Sequence, residues 1–263
     1  MSARPLVTQN ATFQISPFDE EQVVAALLDR TPPLDAGRPH LIVTPNMNHL
    51  ARLQASAPLG AAYDRADMIL ADGWPVVRLA NSLGAQITGR ATGSGIVRRL
   101  ADTPGEGRTI FLVGGSTPQA TDTAAARFRS NGWLVETEHA PIGWLDDTAN
   151  IDELAGRIAA SQASIVLLGV GSPKQEILGA TLLDAPGVTA TMLGIGASID
   201  FLAGHTRRAP EWMQRLGIEW LHRIITDPAR LLRRYAGDVV PFVRVARQSR
   251  RFRPSPPEGA TLS

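Results

Sequence analysis

The chain has 263 residues, 44% of them hydrophobic, and no cysteine, so it can bury a sizeable core, while disulfides, thiolate metal sites and thiol nucleophiles are excluded. Its net charge of +1 hides an asymmetry: residues 1–206 carry 14 basic and 20 acidic side chains, whereas residues 207–253 carry 12 arginines against Glu211, Glu219, Asp227 and Asp238. A basic end on a mildly acidic body points to an anionic partner such as a membrane surface, a nucleic acid or an acidic protein.

Met1–Ser16 is polar and lacks the apolar core of a signal peptide, and no run of roughly 18 apolar residues occurs, so the expectation is a cytoplasmic protein with no bilayer-spanning segment. The segment before Asp35 reads as a short irregular strand pair and one helix, Asp19–Asp29. From there apolar strand-like runs alternate with helical patterns. The predicted strands are His40–Thr44, Asp67–Ala71, Thr109–Val113, Trp133–Thr137, Ser164–Leu168 and Val188–Leu193. The predicted helices are Met47–Ser56, Pro75–Leu83, Gly93–Ala101, Pro118–Asn131, Ile151–Ser161 and Pro173–Leu183. Such alternation implies an α/β fold, Rossmann-like, with a mostly parallel sheet covered by helices on both faces. The expected division is a catalytic domain over 1–205, a basic helical appendage over 206–253 and a disordered Pro- and Ser-rich tail over 254–263.

Open α/β sheets bind ligands beyond the carboxyl ends of their strands, and four predicted strands end in polar or glycine-rich turns. These are Thr44-Pro45-Asn46, Ala71-Asp72-Gly73, Gly114-Gly115-Ser116 and Gly169-Val170-Gly171-Ser172-Pro173-Lys174-Gln175-Glu176. Lys174 is the only lysine in the chain, on a turn whose small residues free backbone amides for an anion. Taken singly, each turn has a plainer use: Asn46 and Ser116 suit helix N-caps, Asp72 suits a turn, and Lys174 suits a solvated surface. The turn is neither a Walker loop nor a full dinucleotide fingerprint, and no Tyr-x-x-x-Lys accompanies it, which disfavours a nucleotide-sugar dehydrogenase or epimerase. No Asp-x-Asp element follows a strand, Asp146-Asp147 being adjacent rather than spaced, and the histidines are scattered, so no metal site and no cofactor is expected. His49 reads as a structural residue, and Asp200 as either a site carboxylate or a helix cap.

The order of these turns resembles the bacterial TagA/WecG/CpsF glycosyltransferases. The matching segments are Thr44-Pro-Asn46 with His49-Leu50, Asp72-Gly73, Gly89-Arg90-Ala-Thr-Gly93-Ser94, Gly114-Gly115, the lysine loop, and Gly194-Ile-Gly196 to Asp200-Phe201. Arg208-Ala-Pro210, Glu219-Trp-Leu221 to Arg223, and Asp227-Pro228 to Arg230 continue the match, which runs collinearly from about residue 40 to 235. The resemblance implies inverting transfer of N-acetylmannosamine or a related hexose from a UDP-sugar to a polyprenyl-diphosphate-linked saccharide at the inner face of the cytoplasmic membrane. It makes Asp72 the expected base for the acceptor hydroxyl, with Thr44 and Asn46 binding sugar beside it. Lys174, Gln175 and Arg90, with amides of Gly114, Gly115 and Gly171, are expected to meet uridine or diphosphate oxygens without a metal. Asp200 joins the substrate-binding set, and so do Arg223 and Arg230 for acceptor diphosphate.

In the basic segment Leu231, Leu232, Tyr235, Val239, Phe242 and Val243 recur at near-helical spacing among arginines, a pattern suited to an anionic lipid surface. Gly237 and Pro241 are expected to bend or break that helix. The plainer reading packs its apolar face on the body and leaves the basic face solvated. The competing function is an α/β nucleic-acid-binding protein using the arginines, which lacks a reader motif and a stacking platform of aromatics. The sequence leaves open whether protomers assemble into an oligomer.

Overall fold

The computed structural model describes residues 3–35, 37–204 and 228–252. A short antiparallel pair, β1 (Leu6–Val7) and β2 (Thr12–Phe13), precedes the helix α1 (Glu20–Asp29), whose N-terminus is closed by a capping box between Asp19 and Gln22. Then follow β3 (His40–Val43), β4 (Met68–Ile69), β5 (Thr109–Gly114), β6 (Leu134–Glu138), β7 (Ile165–Gly169) and β8 (Thr191–Gly194). These form one parallel sheet of six strands in the order β4-β3-β8-β7-β5-β6.

The central strands are apolar without alternation because both faces are covered. Side chains still divide by parity. Leu41, Val43, Phe111, Val113, Val166, Leu168 and Met192 enter one core, and Ile42, Ile110, Leu112, Ile165, Leu167 and Leu193 the other. The first core is covered by α2 (Met47–Leu53), α3 (Ala57–Asp64), α4 (Trp74–Ser82), α7 (Thr148–Ser161) and α8 (Lys174–Leu182). The second is covered by α1, α5 (Gly93–Asp102), α6 (Pro118–Arg129) and α9 (Ser198–Leu202). Short polar side chains start most of these helices: Asn46, Ser56, Thr92, Thr117 and Asp147 each accept a hydrogen bond from a first-turn amide. The expected Rossmann-like architecture is therefore the one observed.

Three local expectations change. The single helix expected over Met47–Ser56 ends at Leu53, and Ser56 caps a second helix, α3, whose Pro58 and Gly60 conceal it in the sequence. Strands expected from Asp67 and Val188 pair over shorter spans, Met68–Ile69 and Thr191–Gly194. The last helix described, α10 (Pro228–Arg251), is continuous through Gly237 and Pro241, where a bend or break is expected, so the helix is not broken there. Proline clashes with the carbonyl four residues back, and that residue is Gly237, exposed and with open space around it.

α10 lies on the body. Val245 is fully buried, Phe242 and Ala246 pack against the first core, and the Ser249 hydroxyl accepts from the Val7 amide at 2.8 Å. The opposite face leaves Val239, Val240, Val243, Arg244, Arg247 and Arg251 exposed. Among the described residues no helix is long and apolar enough to cross a membrane.

Candidate active site

The turns after β3, β4 and β8 and the start of α8 meet at the carboxyl edge of the sheet. β3 ends at Val43, and Thr44 follows it, buried, with its hydroxyl donating to the Gly194 carbonyl at 3.1 Å. That bond joins the two neighbouring strand ends. Asn46 then caps α2, its side-chain oxygen accepting from the Asn48 and His49 amides at 3.0 and 3.3 Å. The N-cap use of Asn46 is thus real.

Beyond β4 the chain leads into Asp72, whose amide donates to the Pro45 carbonyl at 3.0 Å. The turn after β4 is thereby hydrogen-bonded to the turn after β3. A Cβ placed on Gly73 would lie 3.7 Å from that of Asn46. Next to this pair, the Ala91 amide donates to the Ala71 carbonyl at 3.0 Å, which brings the Arg90 loop alongside the end of β4. Thr44, Asn46, Asp72 and the Arg90 loop thus form one connected group.

Gln175 belongs to the same group from below. It is buried in the first turn of α8, its Oε1 accepts from the Gly196 amide at 2.9 Å, and its Nε2 donates to Glu176 Oε1 at 2.7 Å. Gly194 is glycine for a packing reason, since a Cβ there would stand 2.8 Å from Gln175 Nε2. A carboxamide has two N–H donors and two oxygen lone pairs, so these two bonds leave one of each unspent.

The glycine turn after β5 lies against the one after β7. Gly114 has φ +109, and a Cβ on it would meet the Gly169 carbonyl carbon and oxygen at 2.8 Å, so only glycine fits. Asp200 in α9 accepts from the Ser116 amide at 2.9 Å and from the Ser116 hydroxyl, which ties this turn to the loop after β8. Asp200 therefore binds a turn as well as lying at the strand ends. Lys174 opens α8 next to Gln175. Its ammonium donates to Asp146 Oδ1 at 3.0 Å in a 3₁₀ turn, Trp144–Asp146, and both side chains are solvent-exposed. Gly171 sits at the bend before it with φ +78. Arg223, and the side chain of Arg230, lie outside the described residues.

Beneath these turns is a buried polar cluster in which His49, expected to be structural, meets Glu176, to which sequence reasoning gave no role of its own. His49 Nδ1 accepts from the Asn46 amide at 3.0 Å, and His49 Nε2 stands 3.4 Å from Glu176 Oε1. Glu176 is 1% exposed. Burial holds the His49 imidazole below its ordinary pKa of 6.5, opposed by the negative field of Glu176. The Tyr63 hydroxyl is held well above its ordinary range by burial first and by Glu176 second. No local signal marks Glu176 as interior, because an acidic residue in a first helical turn reads as a solvated partner of the helix dipole.

A ligand at this edge would meet the Asp72 turn with the Arg90 loop beside it. A carboxylate held on such a turn is chemically able to accept a proton from a hydroxyl. Residues 9–255 match the model of the glycosyl transferase WecG/TagA/CpsF family.

Proposed function

The chain belongs to the WecG/TagA/CpsF glycosyltransferase family and so is a glycosyltransferase of cell-surface polysaccharide synthesis; from that premise we propose an inverting, metal-independent transfer from a UDP-sugar to a polyprenyl-diphosphate-linked saccharide. The donor sugar in this reading is N-acetylmannosamine or a related hexose. The Asp72 carboxylate takes the proton of the acceptor hydroxyl as its oxygen attacks the anomeric carbon. The bond from that carbon to the diphosphate oxygen breaks, and UDP leaves with the electron pair. Thr44 and Asn46 hold sugar beside Asp72. Arg90, Lys174, Gln175 and the amides of Gly114, Gly115 and Gly171 meet uridine and diphosphate oxygens.

The observation that carries this reading is the hydrogen bond from the Asp72 amide to the Pro45 carbonyl. It fixes a carboxylate-bearing turn beside Thr44 and Asn46 at the edge where open α/β sheets take their ligands. Leaving-group stabilisation by cations is supported by the cheapness of freeing Lys174, since an exposed ion pair contributes about 1 kcal/mol or less. The adjacent carboxylates Asp146 and Asp147 already have uses: one pairs with Lys174, and the other caps α7 through the Ala149 amide at 2.9 Å. Arg223 and Arg230, in the basic segment, would add charge for the acceptor diphosphate at an anionic membrane surface.

The test is a panel of UDP-hexoses offered with a short-chain polyprenyl-diphosphate saccharide, in the presence and absence of EDTA. UDP release with formation of a glycoside of inverted configuration, unchanged by chelation, is the expected result. Failure of every donor, or a strict need for added Mg²⁺ or Mn²⁺, would overturn the reading or its leaving-group chemistry respectively.

A further inference from the structure

We infer that Glu176 is a positioning residue: one buried carboxylate oxygen holds the Asp72 turn through His49 and holds the Gln175 carboxamide directly. The proposal rests on the reading of Asp72 and Gln175 as site residues and adds what fixes them relative to each other.

The His49 branch follows from donor and acceptor chemistry. A backbone amide only donates, so the 3.0 Å bond from the Asn46 N–H requires His49 Nδ1 to be an unprotonated acceptor. The neutral ring then carries its proton on Nε2, 3.4 Å from Glu176 Oε1. The Asn46 N–H is one end of the Pro45–Asn46 peptide. The carbonyl at the other end of that peptide accepts from the Asp72 amide at 3.0 Å. A single rigid peptide plane is therefore gripped at both ends, by His49 on one side and by the Asp72 turn on the other. The buried Glu176 charge 3.4 Å from Nε2 acts on the ring electrostatically and favours the proton on that nitrogen.

The second branch is shorter. Gln175 Nε2 donates to the same Glu176 Oε1 at 2.7 Å, and Gln175 Oε1 accepts from the Gly196 amide at 2.9 Å. Glu176 thus joins the turn after β3, the turn after β4 and the loop after β8 from one point in α8.

A carboxylate in an apolar interior is costly unless its bonds return the cost, and here Oε2 has no hydrogen-bond partner among the described residues. Packing alone would favour an apolar residue at this position. The groups that face His49 are Glu176 from α8, Arg52 on its own helix and Asp238 from α10. Glu176 is the one within reach of the ring nitrogen.

Two measurements test the assignment without substrate. In nitrogen-15-labelled wild-type protein near neutral pH, the His49 ring is expected as the neutral tautomer protonated on Nε2. A ring protonated on Nδ1, or a charged one, overturns the proposal. In Glu176→Gln, amide hydrogen exchange is expected to speed up about tenfold at Asn46, Asp72 and Gly196, as for a weakened charge-assisted bond, with the Leu112 and Leu167 amides unchanged. Unchanged exchange at Asn46 and Asp72, or a uniform acceleration that includes Leu112 and Leu167, overturns it. Neither readout involves turnover, so an active Asp72→Asn variant would remove the base assignment while leaving this network standing.

Discussion

The Asn48 carboxamide donates to both oxygens of the Asp238 carboxylate, at 2.9 and 3.1 Å, and so bolts α10 to α2 two residues from Asn46. Asp238 is 6% exposed, and two further polar ties, Gln54 to Gln248 and Val7 to Ser249, follow along the same interface. On α10, Asp238, Phe242, Val245 and Ser249 recur at helical spacing and form the inward face. Asp238→Ala removes a charge-assisted acceptor and leaves the half-buried Asn48 amide short of a partner. We expect a loss of about 1–3 kcal/mol in urea denaturation, with faster tryptic cleavage within α10. Unchanged stability and cleavage would mean that this pair does not hold the helix.

Asp72→Asn keeps the turn geometry, because the bond to Pro45 comes from the backbone amide. Loss of a general base should lower kcat by about 10²-fold or more while the KM for the sugar donor stays near its wild-type value. Near-normal kcat from a correctly folded variant would take Asp72 out of the base role.

Much of this arrangement could be read before the fold was seen. The β3, β4, β5 and β7 turns announce themselves as polar or glycine residues ending apolar runs, and Thr44, Asn46, Asp72 and Gln175 do come together there. On the final helix the residues expected to form one apolar face divide: Phe242 packs on the body, whereas Val239 and Val243 are exposed beside the arginines. What escaped the sequence depends on packing between distant elements. Glu176 reads as a solvated first-turn acid, and only the approach of α2 and α3 to α8 makes it interior. α3 itself escaped because Pro58 and Gly60 look like loop residues, whereas Gly60 is there because a neighbour presses on it. Lys174, singled out as the lone lysine, is exposed, as its plainer reading had it, and its pairing with Asp146 was not foreseen.

Gly60 offers a test in which two effects oppose. In a helix interior Ala is favoured over Gly by about 1 kcal/mol. A Cβ at Gly60 would, however, stand 2.2 Å from the Asn10 carbonyl oxygen, a backbone atom that cannot swing aside. Overpacking of this kind costs typically 1–3 kcal/mol, so Gly60→Ala should destabilise on balance, by roughly 0–2 kcal/mol. A clearly raised midpoint in thermal denaturation would show that the Asn10 segment yields more easily than its packing implies.

The buried imidazole makes stability depend on pH with a defined sign. Burial lowers the His49 pKa from 6.5, with Glu176 and Asp238 opposing and Arg52 assisting. Below 6.5 the unfolded chain binds a proton that the folded chain resists, so stability falls as pH drops from 6.5 towards the lower folded value. Urea denaturation across that window should show this slope in the wild type and a flatter one in His49→Gln. Equal slopes would assign the acid sensitivity to other groups.

The outward face of α10 carries the last prediction. Val240 is 66% exposed, Val239 48% and Val243 40%, and Arg244, Arg247 and Arg251 share that side. Exposed valines among arginines suit shallow contact with an anionic lipid surface, where each near-surface basic residue contributes about 1 kcal/mol. Deleting the helix would be a poor test, because it would also strip Val245 and Ser249 from the body. Charge reversal on the outer face spares the packed one. The double variant Arg244→Glu with Arg247→Glu should weaken co-sedimentation with phosphatidylserine-containing vesicles by about 10²-fold, and wild-type binding should fall as salt screens the field. Val240→Ser should weaken binding less, and should do so also at high salt, where the apolar contribution remains. Equal vesicle binding by wild type and double variant would exclude this face as the lipid contact. Tight binding to a DNA duplex by protein that ignores vesicles would instead favour a nucleic acid as the anionic partner of the arginines.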